Sequence, residues 1–151
     1  MEYKIIPMQE KHIPGVLEIE RVSFPTPWSG QAFLGELKDN DFAHYYVCVH
    51  GDEVAGYAGM WIIIDEAHVT NIAVHPNFRG KKLGKALLVN LMQEAMFLGA
   101  ERMTLEVRPS NTVAQELYRK TGFTPVGVRK GYYTDTNEDA IIMWRNLYDR
   151  G

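Results

Sequence analysis

Between Arg79 and Leu87 the chain sets two glycines and four cations in the run Arg79-Gly80-Lys81-Lys82-Leu83-Gly84-Lys85-Ala86-Leu87. Leu83, Leu87, Leu88, Leu91, Ala95 and Leu98 then recur at helical spacing, so a helix opens on this loop. The first N–H groups of a helix have no partner inside it and point back toward the preceding loop. Together with the positive end of the helix dipole they attract anions. The loop is therefore expected to cradle a phosphate, with a merely solvated basic turn as the bland alternative. Two nucleotide-binding patterns fail on spacing. A Walker loop needs GxxxxGK followed by a hydroxyl, whereas Gly80 and Gly84 stand one residue too close and Ala86 replaces the hydroxyl. The GxGxxG of dinucleotide folds is absent.

The elements that must position this loop follow from periodicity. Residues 2–7 read as a strand and about 10–22 as a helix carrying Ile13, Val16, Leu17, Ile19 and Val22. Ser29 caps a short helix, GQAFLGELKD, with Phe33, Leu34 and Leu37 inward. YYVCVH, EVAGYAGMWIII and AHVTNIAV, separated by turns at His50-Gly51-Asp52 and Asp65-Glu66, form an antiparallel meander. The basic loop leads into a helix over about 84–98, stopped by Gly99. RMTLEV is a strand, Asn111 to Thr121 a helix ended by Gly122, and PVGVRKGYYT and DAIIMWRNL are two last strands. This is an alternating α/β order. A right-handed crossover makes AHVTNIAV and RMTLEV parallel, and ligands bind at the carboxyl ends of such strands.

Composition narrows the alternatives. A chain of 151 residues with 46% hydrophobic content supports one domain, expected over residues 1–151. A net charge of −3 argues against direct nucleic-acid binding through bulk charge. The one cysteine, Cys48, lies in an apolar alternating run and reads as a buried thiol. The start MEYKIIPMQEKH carries charges inside what would be the apolar part of a leader, and no apolar stretch reaches roughly 18 residues. A cytoplasmic protein with no membrane association is expected. His12, His44, His50, His68 and His75 show no metal-ligand spacing, so no metal is expected.

Arg79-Gly80-Lys81-Lys82-Leu83-Gly84 resembles the acyl-CoA pyrophosphate loop of the GNAT superfamily of N-acetyltransferases, [RQ]-x-x-G-x-[GA]. Thr70-Asn71-Ile72-Ala73-Val74-His75-Pro76 is similar to that family's preceding strand and Leu105-Glu106-Val107-Arg108 to its next one. Asn111-x-x-Ala114-x-x-Leu117-Tyr118-x-x-x-Gly122-Phe123 is similar to the helix along the pantetheine. Gly131-Tyr132-Tyr133, Glu138-Asp139-Ala140-Ile141-Ile142-Met143 and Phe24-Pro25-x-Pro27-Trp28-Ser29 narrow the resemblance to the RimI type, which acetylates the N-terminal alanine of small-subunit ribosomal protein 18. The resemblance covers nearly the whole chain. It implies an α/β (α+β) GNAT fold: a mixed, mostly antiparallel sheet of about six or seven strands, splayed at the cofactor site and flanked by about four helices. It also implies acetyl-CoA as co-substrate and direct acetyl transfer to the N-terminal peptide of a ribosomal protein.

The resemblance assigns roles residue by residue. Ile72, Ala73 and Val74 pair with the pantetheine amides like an added strand. Arg79, Gly80, Lys81, Lys82, Leu83, Gly84 and Lys85 offer N–H groups to the pyrophosphate. Glu106 is the general base and Tyr118 the acid that protonates the leaving thiolate. Asn111 contacts the cofactor, and Trp28, Tyr132 and Tyr133 flank the peptide entrance. The residues alone leave other readings open. Thr104, Glu106 and Arg108 share a strand face, so Glu106 could be an ion-pair partner of Arg108. Tyr118 could be a core tyrosine, Asn111 only an N-cap, and the three aromatics core lids. Glu18, Glu20, Asp135, Glu138 and Asp139 could attract a basic tail or merely be solvated.

One departure is explicit: Lys82 stands where the family has its first glycine. At positive φ a lysine there costs roughly 1–2 kcal/mol. Two alternatives to the ribosomal acceptor remain: another protein N-terminus, a lysine or a small amine, and a non-catalytic acyl-CoA-binding module. Which peptide is acetylated, the free one or its N-terminally blocked or lysine-bearing counterpart, separates the first from the ribosomal reading, and loss of catalysis in Glu106→Gln and Tyr118→Phe separates an enzyme from the second.

Overall fold

Runs of alternating and continuous apolar residues produce seven strands: β1 (Lys4–Pro7), β2 (Ala43–His50), β3 (Glu53–Ile63), β4 (Glu66–Val74), β5 (Arg102–Val107), β6 (Thr124–Tyr133) and β7 (Glu138–Asn146). They form one sheet in the order β1-β2-β3-β4-β5-β7-β6. Only β4 and β5 run parallel, and every other neighbouring pair is antiparallel. The helices are α1 (Ile13–Ser23), α2 (Gly30–Lys38), α3 (Leu83–Phe97) and α4 (Thr112–Lys120), with one-turn 3-10 segments at Glu10–His12 and Pro76–Phe78. This computed structural model describes residues 2–148; the ends of the domain expected over 1–151 lie outside the described residues. The elements match those expected from sequence, with boundaries moved by a residue or two, as capping sets them. The first helix is the exception: of the helix expected over about 10–22, Glu10–His12 forms a 3-10 turn and α1 begins only at Ile13.

The expected caps hold. Ser29 Oγ accepts from the Ala32 N–H at 3.1 Å and opens α2. Gly99 and Gly122, both at φ +95°, end α3 and α4, and the N–H groups of Ala100 and Phe123 close back onto Ala95 and Tyr118 at 2.9 Å.

Two cores lie on opposite faces of the sheet. On one face Leu87, Leu88 and Leu91 of α3 and Tyr118 of α4 pack with Met60, Val69, Met103, Leu105 and Val107. On the other, Val16 and Ile19 of α1 and Phe33 of α2 pack with Tyr45, Val47 and Tyr57. Each fully buried leucine of α3 contributes roughly 1.5–3 kcal/mol relative to exposure. Alternation then puts Glu106, between Leu105 and Val107, on the α1/α2 face, opposite Tyr118.

Glu20 departs from the surface role open to it in the sequence. Its side chain is buried at 1% exposure. One carboxylate oxygen accepts from the Trp28 backbone N–H at 2.8 Å and the other from the Tyr57 hydroxyl. Burial raises its pKa, with the Trp28 N–H opposing. It ties the segment between α1 and α2 to the sheet. Glu20→Ala is expected to lower stability by about 2–4 kcal/mol, read by denaturant unfolding, because it leaves a cavity and two orphaned donors.

Candidate functional site

The site begins with a break in the sheet. β4 pairs with β5 only from Glu66 to His68, opposite Arg102 to Thr104. Just beyond, Thr70 is an extra residue in β4, since Val69 faces Met60 while Asn71 already faces Gly59. A bulge bends and twists its strand, so β4 leaves β5 at this point. Ile72, Ala73 and Val74 remain paired with Ala58, Tyr57 and Gly56 on β3, while their other edge has no strand partner among the described residues. On that edge the Val74 carbonyl accepts from Arg79 Nε at 3.4 Å, and the remaining backbone groups have no strand to pair with, so the edge can receive an extended chain, as the cofactor role expected of these residues requires.

The basic loop stands at the end of this gap. Gly80 (φ +80°) and Lys82 (φ +61°, ψ 27°) both adopt the left-handed conformation, and Lys82 is the N-cap of α3. The N–H groups of Leu83, Gly84 and Lys85 therefore open the helix, and the side chains of Arg79, Lys81, Lys82 and Lys85 are exposed around them. Leu83 departs from its neighbours: its side chain enters the core, leaving only its backbone for a ligand. At Gly84 an added Cβ would sit 3.5 Å from Leu117 Cδ1's geminal partner Cδ2 and 3.9 Å from Val74 Cγ2, an ordinary contact. Lys82 carries left-handed strain of about 1–2 kcal/mol and sets an ammonium at the positive end of a helix. Lys82→Gly is expected to raise stability by about 0.5–1 kcal/mol in thermal unfolding, part of the relief being offset by glycine's freedom in the unfolded chain.

Glu106 does not pair with Arg108. Its carboxylate, 8% exposed, meets His68 Nε2 at 2.6 Å and 3.0 Å; His68 stands on the last paired rung of β4 and β5, opposite Thr104, and Glu106 lies two residues beyond Thr104. Arg108 turns instead to Asp135, with two contacts of 2.9 and 3.0 Å, to Thr136 and to the ring of Tyr133, 4.0 Å below its guanidinium. The guanidinium holds the Asp135 carboxyl down to about 2. Glu138 accepts from the Ser110 N–H at 3.2 Å and from the Thr136 hydroxyl at 3.0 Å, so both carboxylates are engaged within the fold rather than free for a basic partner. Thr26 Oγ1 also donates to Asp135 at 3.2 Å, so the segment before α2 and the turn between β6 and β7 form one arch over this face.

Tyr118 is a buried tyrosine, 5% exposed and 6.0 Å from the Phe123 ring. Burial, and next the neighbouring Tyr133, push its phenol above its ordinary pKa, so it remains a proton donor through neutral and alkaline pH. Tyr133 is pushed up to about 12, by burial first, with Tyr132 and Glu106 adding and Arg108 opposing. Tyr132, 43% exposed, stands edge-on to Tyr133 at 5.0 Å, and its phenol is raised by burial and by the Glu106 carboxylate. Tyr132 is thus a neighbour of Glu106, and Tyr133 a neighbour of Tyr118. Asn111 is the N-cap of α4, accepting from the Ala114 N–H at 3.2 Å.

Trp28 packs against α2. Its ring lies 5.2 Å from Phe33, and it lines a cavity of about 390 Å³ with Gln31, Ala32, Gly35, Glu36 and Trp61. Trp61 is edge-on to His68 at 6.4 Å, so the cavity adjoins the His68–Glu106 pair. A cavity of about 450 Å³ bordered by Glu101 and Arg102 lies at the start of β5, away from Glu106 near that strand's end. Sequence reasoning did not single out His68, Glu36 or Trp61. His68 alternates out of the core between buried Ala67 and Val69, a signal that becomes useful only once the register with β5 is known.

Comparison with known proteins finds relatives in sequence and in fold. Residues 13–123 match the Acetyltransferase (GNAT) family. An Escherichia coli (strain K12) protein named [ribosomal protein bS18]-alanine N-acetyltransferase is 35% identical over 138 residues, 90% of this chain and 92% of that protein. A Bacillus subtilis (strain 168) protein that carries the same name provisionally is 47% identical over 137 residues, 91% of each chain. The crystal structure of the ribosomal-protein-S18-alanine N-acetyltransferase from Escherichia coli superposes with a TM-score of 0.88 at 32% identity, covering 99% of this chain and 97% of that one.

Proposed function

The chain belongs to the GNAT acetyltransferase family, and from that premise we propose that it is an acetyl-CoA-dependent protein N-α-acetyltransferase whose acceptor is the N-terminal alanine of small-subunit ribosomal protein 18. The observation that carries this reading is the gap between β4 and β5, which has Tyr118 on one face of the sheet and Glu106 on the other. Donor and acceptor can approach such a gap from opposite faces at once, which favours direct transfer in a ternary complex over a route through an acylated enzyme. The buried Cys48, whose thiol is pushed up by burial, supplies no nucleophile there.

The residues fit acetyl-CoA: an open β4 edge for the pantetheine amides, and the start of a fifteen-residue helix ringed by Arg79, Lys81, Lys82 and Lys85 for the phosphates. Bound there, acetyl-CoA supplies an acetyl thioester. Glu106 takes a proton from the incoming α-ammonium group, directly or through water, and leaves the amine lone pair free for the carbonyl carbon. The α-amine has a pKa near 8, so about a tenth of it is already neutral at pH 7, and a carboxylate is base enough. His68 Nε2 orients that carboxylate. Tyr118 gives its hydroxyl proton to the sulfur as the C–S bond breaks. Lys82→Gly is expected to weaken acetyl-CoA binding several-fold while stabilising the free protein, with the binding loss shrinking at high salt, measured by calorimetric titration.

The test is release of free thiol from acetyl-CoA with mass spectrometry of the product. The N-terminal peptide of ribosomal protein S18 is compared with its N-terminally blocked form and with a peptide whose only amine is a lysine side chain. Acetylation confined to the free α-amine supports the reading. Turnover on lysine with none on the α-amine overturns it.

A further inference from the structure

Glu36 is a carboxylate whose environment is unfinished. Its hydrogen-bond donors are the Trp61 indole N–H at 2.7 Å, the Asn40 side-chain amide at 2.7 Å and the Tyr45 hydroxyl at 3.0 Å. The single Tyr45 proton is shared, because Asn71 Oδ1 lies 3.2 Å from the same hydroxyl. All three donors are neutral. Among the described residues no Lys, Arg or His forms an ion pair with Glu36, although Glu10, Asp65, Glu66, Glu106, Glu116, Asp135 and Glu138 each have one. A carboxylate accepts about four hydrogen bonds, so acceptor capacity remains as well as charge. Glu36 lines the open cavity of about 390 Å³ between the indoles of Trp28 and Trp61. Aromatic walls beside an uncompensated carboxylate recognise an organic cation through ring faces and charge-assisted hydrogen bonds together. A planar guanidinium satisfies both requirements better than an ammonium.

We propose that the Trp28–Glu36–Trp61 cavity is an acceptor subsite that takes the cationic side chain, arginine above all, of the residue following the acetylated one. The proposal rests on the N-α-acetyltransferase reading, since the cavity's place beside His68, and so beside Glu106, makes it a neighbour of the reacting amine. The subsite selects among N-termini by their second residue and adds nothing to the chemical step.

The test uses peptides with arginine or citrulline as second residue, citrulline being the neutral isostere. In the wild-type protein kcat/KM is expected to favour arginine about ten-fold or more. In Glu36→Gln, which keeps an acceptor for the Trp61 N–H, the ratio is expected to fall to about one. Gly35→Met is the second variant, because a Cβ at Gly35 meets nothing within 4 Å and a longer side chain can fill the cavity without disturbing the helix. It too is expected to erase the preference. An unchanged arginine-to-citrulline ratio in folded Glu36→Gln or Gly35→Met overturns the proposal, as does a wild-type ratio of one. If no peptide α-amine is acetylated, the N-α-acetyltransferase reading fails separately. The subsite is then read from equilibrium binding of the same two peptides, by tryptophan fluorescence: tighter arginine binding lost in Glu36→Gln sustains it, and equal binding removes it.

Discussion

Glu106→Gln is expected to lower kcat/KM for the α-amine about 10²- to 10⁴-fold at pH 7, with acetyl-CoA binding retained. Glutamine can still accept from His68 Nε2, now 2.6 Å from the carboxylate, so the fold and the rung between β4 and β5 are kept while the base is lost. The pH dependence carries the discrimination. An α-amine with pKa near 8 is mostly neutral by pH 9, so a variant lacking only the base should recover part of its deficit there. Steady-state rates from pH 6.5 to 9.5 for both proteins give this directly. A deficit that stays constant across that range would mean that Glu106 positions the acceptor and moves no proton.

Tyr118→Phe should lower kcat about 10- to 10³-fold with the dissociation constant of acetyl-CoA changed by less than about two-fold, since the proton is needed only as the thiolate leaves. Burial holds this phenol protonated, so ionisation of Tyr118 should impose no loss of activity across the neutral range. Tyr133→Phe is the internal control. Its ring stacks on Arg108, and its phenol is the neighbour that acts on Tyr118. The two phenylalanine variants are compared by pre-steady-state thiol release. Full loss in Tyr133→Phe with a silent Tyr118→Phe would transfer the acid role to Tyr133.

The loop at Arg79 to Lys85, the caps at Ser29 and Asn111 and the stops at Gly99 and Gly122 were legible because each depends on residues adjacent in the chain. The parallel neighbours β4 and β5 were legible too, because a strand–helix–strand crossover has one favoured hand. Register was not. Glu106 has Arg108 two residues away on its own strand face, yet its partner is His68, brought opposite by pairing that stops at Thr104. The bulge at Thr70 was equally hidden, since nothing local marks which residue of an apolar strand will lack a partner.

By itself, then, the sequence determined the order of elements and a helix opening on a basic, glycine-bearing loop, while Glu106 and Tyr118 were singled out as base and acid by the resemblance to the GNAT superfamily. Backbone hydrogen bonding, capping and hydrophobic period act over a few residues and can be read in one dimension. The tertiary structure alone decided that Lys82 sits in a left-handed turn, that Glu20 is buried beneath Trp28 while Glu36 faces an open cavity, and that Glu106 and Tyr118 lie on opposite faces of one gap. Burial and strand register depend on which distant surfaces meet, and two glutamates of the same chemistry acquire different roles when one face is covered and the other left open.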